Sequence, residues 1–131
     1  MKKLGAKLGM LALFVGYPRC VPAIDAFDEW KERIDAEGAS LPEGRFDYTH
    51  VFVKQDADLA ALAGDLRSRL APAGMVWISW PKKASGVETT LDGNIVRRIG
   101  LDAGLVDIKV CAVDAVWSGL KFVIPVKDRK A

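Results

Sequence analysis

Five runs of apolar and β-branched residues, each bounded by turn-forming residues, divide the chain. They cover positions 10–15, 46–53, 75–80, 106–113 and 120–126. Short runs of this kind are typical of strands that are buried in a sheet. The run at 75–80 follows Pro72 and Gly74 and opens into a basic loop, so we expect it to be the central strand.

Three segments between these runs carry apolar residues at helical spacing. The first begins near Pro22 and ends at Gly38, the second is capped by Asp56, and the third is capped by Thr89 or Thr90. The predicted apolar stripes are Ile24, Phe27, Trp30 and Ile34 in the first, Leu59, Leu62 and Leu66 in the second, and Leu91, Ile95 and Ile99 in the third. This alternation predicts an α/β, three-layer, Rossmann-like fold with a mostly parallel sheet and a last strand that runs antiparallel.

Length and charge narrow the class of protein. The 131 residues suffice for a single domain that spans 1–131. The net charge of +2 is too small to indicate nucleic acid by itself.

No run reaches the ~18 apolar residues that a membrane helix needs, and Gly5, Lys7 and Gly9 interrupt the apolar N-terminal segment. We therefore predict a cytoplasmic protein without a membrane partner, with Cys20 and Cys111 as free thiols.

Two turns carry a resemblance to a known family. Leu70, Pro72 and Gly74 link a leucine-rich helix to an apolar strand, and Ala-Gly-Leu at 103–105 precedes the penultimate strand. Both features resemble class I methyltransferases, which use S-adenosylmethionine (SAM). The resemblance implies a shortened methyltransferase-like sheet with the strand order 10–15, 46–53, 75–80, 120–126 and 106–113, in which only 120–126 is antiparallel. Segments 80–82 and 117–121 also resemble a small bacterial family of unknown function.

The first half of the chain departs from the methyltransferase pattern at the expected cofactor loop. That family has several glycines there because the backbone must approach SAM closely. Here Gly16 is followed by Pro18 and Pro22. No acidic residue is assigned to the end of a second strand, where the family binds the ribose hydroxyls. We therefore expect no cofactor and a loss of methyl-donor binding.

A candidate site follows from the predicted sheet, because open parallel sheets bind ligands beyond the carboxyl ends of their strands. The candidate ligand-binding residues on the loops there are Arg19, Lys54, Trp80, Lys82, Lys83, Ser85, Gly86, Trp117 and Ser118. We expect Lys82, Lys83, Ser85 and Gly86 to form an anion-binding loop that leads into a helix N-terminus. The expected ligand is a phosphate or a nucleotide-like molecule, and the alternative is an ordinary solvated loop.

Three functional hypotheses remain. The sequence favours a non-catalytic binding or regulatory module with a small anionic ligand, and it leaves catalytic activity open. The second hypothesis is a SAM-dependent methyltransferase with an atypical cofactor loop. The third is a weak nucleic-acid binder that uses Lys82, Lys83 and the basic C-terminal tail, which the modest net charge disfavours. No catalytic residue and no metal site are predicted, because His50 lies in a buried strand without a second His or a Cys at ligand spacing.

Overall fold

The structure is a computed structural model that describes residues 2–37 and 40–129. Its elements in chain order are β1 (Leu11–Val15), α1 (Pro22–Asp25), β2 (Glu32–Ala36), β3 (Phe46–Phe52), α2 (Asp56–Ser68), β4 (Leu70–Pro81), α3 (Gly93–Asp102), β5 (Val106–Ala112) and β6 (Trp117–Val123). Short 3₁₀ turns cover Lys2–Leu4, Lys83–Ser85 and Val126–Asp128. The chain thus alternates strands and helices, as the sequence pattern predicts.

The six strands form one sheet in the order β2-β1-β3-β4-β6-β5. Strands β2, β1, β3 and β4 pair in parallel, and β6 runs antiparallel to both of its neighbours. The predicted α/β fold and the predicted order of five strands are confirmed. The antiparallel strand begins at Trp117 rather than at position 120.

The predicted helix from Pro22 to Gly38 is wrong. Helix α1 is a single turn, and β2 follows it at the edge of the sheet, paired in parallel with β1. Trp30 packs against the core on one face of the sheet, whereas Ile34 packs against the core on the other. These side chains therefore do not lie on one helix face, although their spacing fits one. The predicted helix end at Gly38 lies outside the described residues.

Alternate residues of the central strands build two cores, one on each face of the sheet. Leu13 and Val51 belong to the core that α2 and α3 cover. Phe14 and Trp77 belong to the opposite core, which the N-terminal segment and the residues around α1 cover. The indole Nε1 of Trp77 donates a 2.7 Å hydrogen bond to the carbonyl of Leu4. This bond fixes the N-terminal segment to the central strand.

Helix α3 begins at Gly93, and its N-cap differs from the predicted threonines. The carboxylate of Asp92 accepts a 2.9 Å hydrogen bond from the backbone N–H of Ile95, which satisfies one of the free donors of the first turn. Later in the helix, Gly100 lies against Phe122 of β6, and a Cβ there would overlap the phenyl ring. A glycine thus lets the helix pack closely on the sheet. The N-cap of α2 is likewise Gln55 rather than Asp56.

Candidate functional site

A cavity of about 880 Å³ lies at the carboxyl ends of β1, β2 and β3. The chain leaves β1 to form β2 on one side of it and later returns to form β3 on the other side. Open α/β sheets bind ligands at this kind of switch point, and the volume is in the usual range for small-molecule sites. The lining residues are Val15, Gly16, Pro18, Glu37, Phe52, Val53, Lys54, Gln55, Asp58, Ala61, Leu62 and Trp117. We call this the switch-point cavity.

Gly16 brings the backbone close to the floor of the switch-point cavity. Its φ angle is +67°, and a Cβ at this position would lie 2.8 Å from the carbonyl oxygen of Phe52. The N–H of Gly16 also donates a 2.9 Å hydrogen bond to the carbonyl of Ala36, the last residue of β2. Only glycine fits these conditions without strain. The loops after β1 and β2 are thereby joined at the cavity.

The rest of the loop after β1 is held by side chains. The hydroxyl of Tyr17 donates a 2.6 Å hydrogen bond to the carboxylate of Asp25 and accepts one from the N–H of Val21. Burial and the Asp25 carboxylate raise the pKa of Tyr17 above its ordinary range. The guanidinium of Arg33 lies 5.2 Å from the centre of the Tyr17 ring. These contacts fix a loop that has fewer glycines than the methyltransferase pattern.

Glu37 is a cavity-lining residue that the sequence reasoning missed. It directly follows β2 and lines the switch-point cavity. The sequence analysis assigned this segment to a helix and therefore found no acidic residue at the end of a second strand. The structure corrects that point, because a carboxylate stands beside Gly16 at the carboxyl ends of neighbouring strands.

Comparison with solved structures finds proteins with a similar fold. A methyltransferase from Pyrococcus furiosus has a TM-score of 0.65 and 15% identity, with 92% of this chain and 77% of that chain covered. Magnesium protoporphyrin IX methyltransferase (ChlM) from Synechocystis PCC 6803 has a TM-score of 0.62 and 13% identity, with 89% and 71% covered. The glycopeptide N-methyltransferase MtfA has a TM-score of 0.66 and 14% identity, with 95% and 87% covered. This chain has a shortened methyltransferase-like fold.

The similarity concerns the fold alone, because identities of 13–15% carry no residue-level argument about activity. No family model matches the sequence, and no curated protein matches it significantly. The predicted resemblance to class I SAM-dependent methyltransferases is thus confirmed at the level of the fold.

Two of the predicted site residues line the switch-point cavity of this methyltransferase-like fold. Lys54 follows β3, and its backbone carbonyl accepts hydrogen bonds from the Thr89 hydroxyl at 2.6 Å and the Thr90 N–H at 3.0 Å. Trp117 is 6% exposed, and its ring meets that of Phe52 edge-on at 5.1 Å. Trp117 therefore supplies an apolar wall to the cavity, and Lys54 lines it from the loop after β3.

The basic loop lies beside a second, more open cavity. Lys83 and Gly86 line this cavity of about 520 Å³, together with Thr89 and Thr90. The Nζ of Lys82 instead donates a 2.7 Å hydrogen bond to the carbonyl of Asp114, and the hydroxyl of Ser85 donates to the carbonyl of Lys82 at 2.6 Å. Lys82 and Ser85 are thus engaged within the protein. Residues 87–92 separate the loop from the start of α3 at Gly93, so the helix begins later than the predicted threonine caps.

The remaining predicted residues lie apart from the switch-point cavity. Trp80 is buried in the core beneath α2 and α3. Ser118 pairs with it across β4 and β6. Arg19 is exposed in the loop after β1, with a φ angle of +60°. Of the candidate ligand-binding residues, the structure therefore brings Lys54 and Trp117 to one cavity, and Lys83 and Gly86 to the neighbouring one.

A buried polar network crosses the sheet on the face that carries Phe14 and Trp77. The imidazole of His50 lies 2.9 Å from the Tyr48 hydroxyl through Nδ1 and 2.6 Å from the Ser79 hydroxyl through Nε2. All three side chains are fully buried. Burial lowers the pKa of His50 to about 3, so the ring is neutral at physiological pH. This network is structural, because solvent does not reach it.

Over residues 2–37 and 40–129, no three His, Cys, Asp or Glu side chains are grouped to hold a metal ion. None of the helices in the same residues is long and apolar enough to cross a membrane.

Proposed function

We propose that this chain is a small-molecule binding module of methyltransferase-like fold whose switch-point cavity binds the adenosyl part of SAM or of a related nucleoside. The observation that carries the proposal is that Glu37 and Gly16 line one cavity at the carboxyl ends of adjacent strands. The similar structure ChlM has been solved with SAM and with S-adenosylhomocysteine bound.

The chemistry of Glu37 suits a ribose. An ionised carboxylate accepts hydrogen bonds through both oxygens, and a ribose presents two neighbouring hydroxyls as donors. Each charge-assisted bond contributes roughly 1.5–3 kcal/mol when sheltered and less when exposed. Since Glu37 is exposed, a bound nucleoside that covers it would strengthen these bonds.

The rest of the cavity suits the base and an anionic substituent. Val53, Ala61 and Leu62 form an apolar wall, against which a planar purine ring can lie. Lys54 lines the same cavity and offers an ammonium group to a carboxylate or a phosphate. The predicted small anionic ligand is retained in this form, with Lys54 as its partner.

Two features distinguish this loop from a glycine-rich cofactor loop. Pro18 lines the cavity and has no backbone N–H to donate to a ligand. The hydrogen bonds of Tyr17 with Asp25 and Val21 hold the same loop in one conformation. The backbone thus approaches the ligand at Gly16 but offers fewer donors than a glycine-rich loop.

SAM-dependent methyl transfer is the second candidate function. Glu37 favours it, because an acidic residue after the second strand removes one of the two departures from the methyltransferase pattern. Incubation with radiolabelled SAM separates the candidates: a binding module retains the label on SAM, whereas a methyltransferase transfers it to an acceptor in a cell extract.

Calorimetric titration with adenosine and 2′-deoxyadenosine tests the binding proposal. We expect the wild type to prefer adenosine roughly tenfold, because the deoxy compound lacks one hydroxyl donor. Glu37→Gln should lose this preference. Glu32→Gln is the matched control, since Glu32 is exposed at the opposite end of the same strand, and it should keep the preference. Equal affinities of the wild type for both compounds would contradict the proposal.

A further inference from the structure

A third cavity, of about 580 Å³, opens at the opposite end of the sheet from the switch-point cavity. Its walls come from the residue before β3, the end of α2, the start of β4 and the segment after β6. Among the described residues that line it, three are the arginines Arg45, Arg67 and Arg129, and one is the acid Asp128. We call it the arginine cavity. Its lining carries an excess of positive charge.

Each of the three arginines is anchored to a backbone carbonyl. Arg129 Nε donates to the carbonyl of Ile124 at 2.9 Å, and Arg67 Nε donates to that of Gly104 at 3.1 Å. Arg45 Nη1 makes a longer contact of 3.4 Å with the carbonyl of Leu70. These partners are neutral, so they orient the guanidinium groups without cancelling their charge. The orientation reduces the conformational entropy that a ligand would have to offset.

Only one of the three charges is balanced within the described lining of the cavity. Arg67 Nη2 lies 3.2 Å from the carboxylate of Asp128. Among the described residues, Arg129 bonds through Nε alone, and neither of its Nη groups has a hydrogen-bond partner. A guanidinium presents its N–H groups as a planar fork that matches phosphate oxygens. The floor includes the buried side chains of Leu70 and Ile124, which keep water from one side.

We propose that the arginine cavity binds a small phosphate-bearing molecule, with Arg45 and Arg129 as its principal ligands. The site is separate from the proposed adenosyl site, because the two cavities lie beyond opposite ends of the parallel strands. A phosphate group bridging the two guanidinium forks would neutralise the excess charge. The apolar floor accommodates the remainder of the molecule.

The test uses pyrophosphate as the probe and calorimetry or amide-resolved NMR as the readout, on the full chain. We expect Arg45→Ala and Arg129→Ala each to weaken binding roughly tenfold. Arg129→Lys should recover only part of the loss, because it keeps the charge but not the fork. Arg98→Ala is the control. Arg98 is exposed on α3 and does not line the arginine cavity. This substitution removes the same charge elsewhere, so binding should stay within about twofold of wild type.

Three outcomes would overturn this proposal. They are no binding of pyrophosphate to the wild type at millimolar concentration, equal losses in Arg98→Ala and Arg129→Ala, and tight binding of a single-stranded oligonucleotide without any binding of pyrophosphate. Circular dichroism of each variant checks that it is folded. Glu37→Gln should bind pyrophosphate as the wild type does, so failure at one cavity is distinguishable from failure at the other.

Discussion

The buried imidazole of His50 makes the stability of the protein depend on pH. Burial lowers its pKa from the ordinary 6.5 to about 3 in the folded protein, whereas the unfolded chain regains the ordinary value. Between these values the unfolded chain binds a proton that the folded chain does not. The neutral ring therefore makes its full contribution to folding stability above about pH 6.5, and this contribution is lost as the pH falls toward 3.

The size of the effect follows from the difference in proton binding. When the pH falls from 7 to 5, protonation of His50 in the unfolded chain lowers the free energy of unfolding by about 2 kcal/mol. This figure changes little as long as the folded pKa stays below about 4. The neighbouring groups do not titrate in this window, because burial raises the pKa of Tyr48 and Ser79 is a hydroxyl.

Urea unfolding at pH 7 and pH 5 measures this effect directly. His50 is the only histidine of the chain, so His50→Gln removes the histidine titration and leaves the carboxylates unchanged. We expect the wild type to lose about 2 kcal/mol more than His50→Gln between the two pH values. Ser79→Ala keeps the imidazole and should retain the pH dependence. Equal losses in the wild type and His50→Gln would refute the reasoning.

Three further substitutions test two close contacts of glycines and one helix cap. The free energy of unfolding of each variant is measured by thermal or urea unfolding. Gly16→Ala should cost roughly 1–3 kcal/mol and weaken adenosine binding, because its φ is +67° and its Cβ would meet the Phe52 carbonyl; an unchanged melting temperature would contradict this. Gly100→Ala should cost a similar amount, roughly 1–3 kcal/mol, because its Cβ overlaps Phe122. Asp92→Ala should cost about 1 kcal/mol, and Asp92→Asn should retain most of that stability.

The central part of the sheet could be predicted because burial marks its strands. Strands β1, β3, β4 and β6 are covered on both faces, so they are apolar runs between turns. Strand β2 gives no such signal. It lies at the edge of the sheet, and only Ile34 and Ala36 pack against a core. Because so few of its residues are buried, β2 shows no strand pattern of its own, and Ile34 fits the helical spacing that begins at Ile24. Only the pairing of β2 with β1 makes this segment a strand.

The same difference explains which site residues could be found. Lys54 follows a well-marked strand, so its position at the carboxyl end of the sheet was predictable. Glu37 follows the one strand that the pattern hides, and it was missed for that reason. The basic loop at 82–86 was predicted as an anion site from its charge. Its Lys82 and Ser85 side chains instead bond to the carbonyls of Asp114 and Lys82, and the charge pattern of the sequence does not reveal these partners.

The most direct test of the account is an amide-resolved NMR titration with adenosine. We predict saturable shift changes at Gly16, Glu37 and Lys54, which follow β1, β2 and β3 around the switch-point cavity. The Arg45 and Arg129 amides, at the opposite end of the sheet, should not move. The absence of saturable changes at Gly16 and Glu37, or changes confined to the arginine cavity, would contradict the claim that the switch-point cavity is an adenosyl site.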